Sequence, residues 1–370
     1  MRIFLVEPYF GGSHAAWAEG YARTSRHEVH LLTLPARFWK WRMQGASYTL
    51  AVQAAELVAA AGQPDVVLAS DMLDLPAFLG LVRKVIGRPG VALYMHENQI
   101  TYPPPPGAAV DHSYGFTNWL SAAAADLILF NSPYHLDEFY SVLPGLLGSL
   151  PDFTHSEGVP AVRARSEVLP VGIDLERLVD RPDEAGPPVV LWNQRWEYDK
   201  NPGAFFQALY RLIEEGLEFD VILAGENFRT SPEEFLHAER QLGKRLLHKG
   251  FSPSAQYVEL LARSDVVVST AHHEFFGVAV AEAIAAGAFP VLPDGLSYPG
   301  LIPVDYHRHC LYGDDAGLVD RLRWALTHRS EAATLGAELA KHMARFGWRV
   351  MAGRYDARLE MLERTVRAVP

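Results

Sequence analysis

The string His272-His273-Glu274-Phe275-Phe276-Gly277-Val278-Ala279-Val280-Ala281-Glu282-Ala283 carries two glutamates with seven residues between them. It follows an apolar run that ends at Ser269. If Gly277 opens a helix, the free N–H groups of that helix end suit an anion. Glu274, in the loop before the turn, can accept hydrogen bonds from sugar hydroxyls. Glu282, near two turns into the helix, can hold a ribose diol. A carboxylate that merely favours a helix dipole would explain either glutamate alone but explains the whole string poorly.

A second constellation is Trp192-Asn193-Gln194-Arg195-Trp196-Glu197-Tyr198-Asp199-Lys200-Asn201-Pro202, again just after an apolar run. A departing diphosphate gains negative charge, and fixed cations such as Arg195 and Lys200 stabilise it without a metal. Two solvated surface cations are the bland alternative.

Two more clusters lie in the first half. Gly11-Gly12-Ser13-His14 follows Met1–Phe10, and its paired glycines allow close backbone approach to a donor. Neither a GxGxxG fingerprint nor a GxxxxGK[ST] phosphate loop is present. His14 can orient an acceptor or move a proton. Tyr94-Met95-His96-Glu97-Asn98-Gln99 is a polar cluster at a strand end, where Glu97 and Asn98 can bond hydroxyls. Arg37, Lys40 and Arg42 alternate with Phe38, Trp39 and Trp41, the mixture that grips phosphates and stacks on splayed bases. The same six residues would also serve to seat a loop on the core. Asp71 and Asp74 are not in an Asp-x-Asp arrangement, and the histidine pairs lack a fuller ligand set. No metal is expected.

These clusters need strands to hold them. Short Val/Leu/Ile runs without clean alternation recur at 2–6, 28–33, 65–69, 91–95, 126–130 and 166–170, as strands covered on both faces of a parallel sheet do. Amphipathic stretches, such as 47–61 and 133–142, lie between them. Ser132 and Pro133 fit an N-cap and first helical residue. The alternation restarts at 189–192 and continues at 220–224, 246–250, 265–269, 289–292 and 309–312. This predicts an α/β protein with two doubly wound, Rossmann-like parallel-sheet domains facing a cleft. Residues 1–175 form the acceptor side and 176–346 the donor side, with a boundary near 172–188. A closing helix at about 347–368 belongs to a 347–370 segment that can cross back to the first domain.

Composition sets limits. The chain has 370 residues, 49% hydrophobic and 21% charged, enough for two cores. A net charge of −11 predicts a small, salt-sensitive nucleic-acid footprint at most. No apolar run is long enough to span a bilayer, no signal peptide is evident, and Cys310 is alone. A reducing cytoplasm is the expected compartment.

The Glu274 to Glu282 string resembles the Glu-seven-residues-Glu motif of retaining GT-B glycosyltransferases of the glycogen synthase/sucrose synthase-like group. The resemblance implies that Glu274 binds the donor sugar, Glu282 the ribose, and the Phe275-Phe276-Gly277-Val278 backbone the sugar and diphosphate. Arg195 and Lys200 would clamp the diphosphate, and His96 would lie near the donor sugar. More particularly, the following strings together resemble the tRNA-queuosine α-mannosyltransferase family: Phe10-Gly11-Gly12-Ser13-His14, Leu34 to Arg42, Ser70-Asp71-Met72-Leu73-Asp74, His96-Glu97-Asn98-Gln99 and Phe130-Asn131-Ser132-Pro133-Tyr134-His135.

That family implies transfer of mannose from GDP-mannose to a hydroxyl of the queuosine cyclopentene-diol in a tRNA anticodon. No cofactor is needed beyond the sugar-nucleotide substrate. The acceptor side would be Ser13, His14, Arg37, Trp39, Lys40, Trp41, Arg42, Asp71, Glu97, Asn98 and Asn131. A lipid or small-metabolite acceptor, a sugar-nucleotide epimerase and a non-catalytic sugar-nucleotide sensor remain open at this point.

Overall fold

The structure is a computed structural model, and it describes residues 1–104, 107, 110–182, 186–225 and 233–368. It contains two six-stranded, all-parallel sheets. The first orders its strands β2-β1-β3-β4-β5-β6: β1 (Arg2–Phe10), β2 (Glu28–Pro35), β3 (Val66–Ser70), β4 (Gly90–Met95), β5 (Leu127–Phe130) and β6 (Ser166–Val168). The second runs β12-β11-β10-β7-β8-β9: β7 (Val189–Trp192), β8 (Asp220–Ala224), β9 (Leu246–Gly250), β10 (Val266–Val268), β11 (Phe289–Pro293) and β12 (Leu311–Tyr312). Strands β3, β4, β5, β7 and β10 are buried at every residue, which is why they read as unbroken apolar runs.

The strand order reverses between β1 and β3 in one sheet, and between β7 and β10 in the other. Loops after those strands diverge to opposite faces and leave a crevice at the carboxyl ends. Most of the chemistry-bearing strings noted above lie in such a loop or in one beside it, while Phe130 to His135 follows β5, one strand further out.

Some element bounds differ from the expected ones. β1 runs on to Phe10, with a register shift between Glu7 and Phe10 that accommodates Pro8. The helix expected from 47 begins at Trp39 and passes through Gly45 to Ala61. The helix at Pro133 continues to Gly148 with Pro144 inside it, and Ser132 Oγ accepts the His135 N–H at 3.1 Å. The strand expected at 309–312 is only Leu311–Tyr312, because His307–Cys310 coils into a helical turn.

The chain divides into two compact units, Met1–Ile173 together with the chain from Trp348 onward, and Asp174–Gly347. Residues 183–185 of the expected boundary stretch, and 369–370 of the closing segment, lie outside the described residues.

In the first unit the closing helix Trp348–Arg367 docks on the helix Gly12–Thr24. Tyr355 accepts a hydrogen bond from Trp17 Nε1 at 3.2 Å and donates to the Pro170 carbonyl at 3.1 Å. Asp356, 2% exposed, accepts from the Tyr21 hydroxyl (2.9 Å), the Ser25 hydroxyl (2.6 Å) and the Arg26 amide (3.1 Å). Asp356→Ala strands these buried donors and should destabilise the protein by about 1–3 kcal/mol. Urea unfolding checks this, and an unchanged midpoint would contradict it.

Candidate active site

In the second unit, Lys200 lies buried at the end of a short 3₁₀ turn, Tyr198–Lys200, after β7. Its Nζ donates to the His273 carbonyl at 2.7 Å and meets Glu274 Oε2 at 3.3 Å and Asp199 Oδ2 at 3.2 Å. The other Glu274 oxygen accepts the amides of Gly277 (3.0 Å) and Phe276 (3.3 Å). The loops after β7 and β10 are stitched together by the His272 amide on the Asp199 carbonyl (2.8 Å) and by Thr270 Oγ1 on the Lys200 and Asn201 carbonyls (both 2.9 Å). Burial alone would raise the Glu274 carboxyl, but Lys200 and the Phe276 amide bring it below the usual range. It is therefore an ionised acceptor at neutral pH. Burial and Lys200 push His273 down to about 4, so it is neutral.

Gly277 does open a helix, Val278–Ala285, and is its N-cap. Its φ of +87 is in the glycine region, and a Cβ there would meet the Tyr298 ring at 3.1 Å. The side chains of Phe275 and Phe276 are buried, so what the loop can offer a ligand is backbone. Val278 is half-buried.

Glu282 is the fifth residue of this helix, a little over one turn in rather than two. It pairs with Arg177 and accepts from Tyr257 at 3.2 Å, and Tyr257 in turn takes Asn193 Nδ2 at 3.0 Å. Burial raises its carboxyl above the ordinary value despite Arg177. Arg195 is not part of the buried cluster. Its side chain is 49% exposed and meets Glu197 at 3.3 Å.

In the first unit the loops after β1, β3 and β4 converge. Glu7, fully buried, accepts the Tyr9 amide at 2.7 Å on one oxygen and faces His14 Nδ1 at 3.0 Å with the other. His96 packs beside His14 with ring centroids 4.2 Å apart, its edge also against Trp17 (4.6 Å) and Tyr94 (4.8 Å). The His96 amide donates to Asp71 Oδ1 at 2.7 Å, and the His96 carbonyl accepts Asn131 Nδ2 at 2.8 Å. Burial opposes charge on His14, but Glu7 outweighs it and raises that imidazole to about 9. Burial and the neighbouring His14 and His135 push His96 well down. Glu7, His14 and His96 bring candidate cation-binding atoms within 4.8 Å of one another, the one such convergence among the described residues. Within it Glu7 and His14 form an ion pair, and the two imidazole planes are tilted by 42°.

Gly11 packs where a Cβ would lie 2.5 Å from the Ala36 Cβ, which sets the loop after β2 against the loop after β1. Gly12 (φ +53) and Ser13 are exposed. The 37–42 segment divides between solvent and core. Arg37, Phe38, Lys40 and Trp41 face outward, Phe38 at 78% and Trp41 at 61% exposure. Trp39 turns inward onto Tyr114 (5.1 Å), Met43 and Met72, and Arg42 donates twice to the Pro35 carbonyl at 3.1 Å.

Besides the buried His14, three residues expected to bind the acceptor are inside. Asp71 is fully buried and holds the His96 backbone. Asn98 folds its side-chain oxygen back onto the Ile100 and Thr101 amides as a turn. Asn131 ties His96 to His135. Glu97, half-buried, accepts from Gln99 at 3.0 Å.

Sequence reasoning missed Glu7, Asp199, Arg177 and Tyr257. Glu7 left a signal, since a carboxylate directly after Ile3-Phe4-Leu5-Val6 must be paired when buried. Arg177 and Tyr257 left none, lying 105 and 25 residues from Glu282.

Residues 178–342 match the family model "Glycosyl transferases group 1". The fold is that of sucrose-phosphate synthase from Thermosynechococcus elongatus, with a TM-score of 0.73 at 15% identity over 100% of both chains. The two sheets and the β7–β10 site thus define a glycosyltransferase of the GT-B fold.

Residues 2–173 match the model "tRNA-queuosine alpha-mannosyltransferase N-terminal". The chain is 33% identical to the tRNA-queuosine alpha-mannosyltransferase of Drosophila melanogaster over 87% of its own length and 86% of that protein. It therefore belongs to the tRNA-queuosine alpha-mannosyltransferase family. The GDP-mannose:cellobiosyl-diphosphopolyprenol alpha-mannosyltransferase of Xanthomonas campestris is 25% identical over 52% of each chain.

Proposed function

We propose that the protein moves mannose from GDP-mannose to a hydroxyl of the cyclopentene-diol of queuosine in tRNA, with retention of anomeric configuration. One observation carries this reading. The likeness to the Drosophila enzyme extends over 337 residues, more than either unit contains. A mannosyltransferase that uses GDP-mannose is also among the relatives, which supports the donor.

The reaction follows from the charges. As the glycosidic bond lengthens, the diphosphate becomes more negative and the sugar oxocarbenium-like. Lys200, fixed beside Glu274, stabilises the phosphate side without reorganising. Arg195 joins it by exchanging Glu197 for phosphate. Glu274 holds sugar hydroxyls, and Glu282 takes the ribose diol once Arg177 yields. The acceptor hydroxyl attacks from the leaving-group face and gives its proton to the departing diphosphate oxygen. No strong protein base, metal or cofactor enters this scheme.

Arg37, Phe38, Lys40 and Trp41 supply an exposed basic and aromatic edge suited to anticodon-loop phosphates and bases. We assign the protein to the cytoplasm, with its buried single cysteine in keeping. Among the described residues no helix is long and apolar enough to cross a membrane.

The test is incubation of the purified protein with queuosine-containing tRNA and a panel of sugar nucleotides, followed by nucleoside mass spectrometry. A hexose added to queuosine only with GDP-mannose is the expected result. Slow donor hydrolysis with unmodified tRNA would keep the glycosyltransferase and discard this acceptor.

A further inference from the structure

Glu7 stands among apolar residues of β1, and nothing in the transfer scheme above uses it. Its carboxylate is 0% exposed, and both oxygens are committed, one to the Tyr9 amide and one to His14. The oxygen that meets His14 at 3.0 Å lies 3.9 Å from His96 Nε2, which is buried and has no hydrogen-bond partner. The two imidazole centroids lie 4.2 Å apart, with the ring planes tilted by 42°. Two rings that close cannot both carry charge, and only one can hold the carboxylate at hydrogen-bond distance. The pair is therefore unequal. His14 is the imidazolium, with hydrogens on both nitrogens and no lone pair. His96 is neutral and keeps a nitrogen that can accept.

We infer that Glu7 is a positioning residue that makes His14 a donor-only contact and His96 an acceptor-capable one, so that the pair tells apart the two hydroxyls of a vicinal diol. This rests on the acceptor proposed above. Glu7 holds His14 Nδ1, leaving Nε2–H to donate to the hydroxyl that does not react. His96 can accept from its neighbour, orienting the lone pair of that oxygen for attack. The polarity of the contact, more than its shape, then decides which oxygen is glycosylated.

The groups facing this pair agree. Asp71, from the loop after β3, and Glu97, from the loop after β4, reinforce charge on His14. His135, from the helix Pro133–Gly148, works against charge on His96. Asp71 is itself held by burial well above the usual carboxylate range, although His14 counters part of that.

The first test needs no substrate. In protein labelled with 15N-histidine, with the His14 and His96 signals assigned from His14→Gln and His96→Gln variants, the ring nitrogens report protonation directly. His14 should remain an imidazolium to about pH 9, and His96 should stay neutral well into the acid range. Glu7→Gln should bring His14 down toward the ordinary histidine range, because burial is then opposed only by Asp71 and Glu97. Two rings titrating alike in the native protein would overturn the inference. So would a stoichiometric metal ion found on them by elemental analysis.

The second test is activity. Glu7→Gln should lose 10-fold or more in kcat/KM for tRNA at pH 8, keep its donor KM, and divide product between the two hydroxyls. An unchanged pH profile with product on a single hydroxyl would overturn the inference. Failure of native protein to modify tRNA would instead overturn the acceptor reading and leave the nitrogen titration standing.

Discussion

Glu274→Ala is expected to lower turnover roughly 10²–10³-fold, the scale of losing one fixed charge or donor at a developing ionic centre. Donor KM should change far less. Glu282→Ala should do the reverse, weakening donor binding while turnover at saturation falls only a few-fold. The difference follows from what each carboxylate touches. Glu274 is bound to Lys200 and to the two amides that open the Val278–Ala285 helix, so its loss removes a counter-charge from the cation and the acceptor from both amides. Glu282 faces Arg177 and Tyr257, away from those groups.

Lys200 keeps Asp199 and the His273 carbonyl in the Glu274→Ala protein, so the fold should survive. Thermal melting separates a chemical defect from a structural one. Glu274→Gln should fall between native and alanine, since an amide oxygen can still accept the Gly277 N–H. Steady-state kinetics over a range of donor concentrations makes the distinction. Small, equal effects at both positions would refute the assignment.

The largest stability effect is expected at Trp348. This side chain, 5% exposed, fills the space over two glycines of the first unit. A Cβ on Gly20 would lie 2.0 Å from its indole Nε1, and one on Gly172 would lie 2.4 Å from its Cδ2. Trp348→Ala removes an indole from a closed interior and should destabilise by about 3–5 kcal/mol.

Gly20→Ala is the sharper test. Inside an exposed helix, glycine to alanine stabilises by about 1 kcal/mol. Here the methyl meets the indole, and the sign should invert to a loss of about 1–3 kcal/mol or more. The double variant Gly20→Ala/Trp348→Ala should lose less than the sum of the singles, because the methyl then enters the space the indole vacated. Additive effects in chemical denaturation would show that the glycine and the indole do not share that space.

Much of this was legible from residue types. The buried parallel strands announce themselves as Val-Val-Leu runs because both faces are covered. The Glu274-to-Glu282 string is legible as a glycine turn opening a helix because one turn and one helix carry all of it. What was not legible depends on distant partners or on a helix hidden by aromatic residues. The alternation at 37–42 was open between a nucleic-acid edge and a seated loop. Once Trp39 begins a helix, neighbouring residues point to different sides, and the segment divides between core and solvent. Asp71 and Asn131 carry the polar chemistry expected of a surface, yet both are spent holding His96. The Arg177 contact to Glu282 spans 105 residues and has no local signature.

The closing helix has a consequence for how the chain is made. The second unit is a single uninterrupted stretch, Asp174–Gly347, and can complete its packing while synthesis is still under way. The first unit is translated earliest but finishes last. Its Trp17, Tyr21 and Ser25 wait for Tyr355 and Asp356, more than 300 residues behind them. During that interval the helix Gly12–Thr24 exposes the apolar face that these residues later cover. The nascent N-terminal half is thus the part for which chaperone occupancy on the ribosome should be greatest, and release of the last helix should end it.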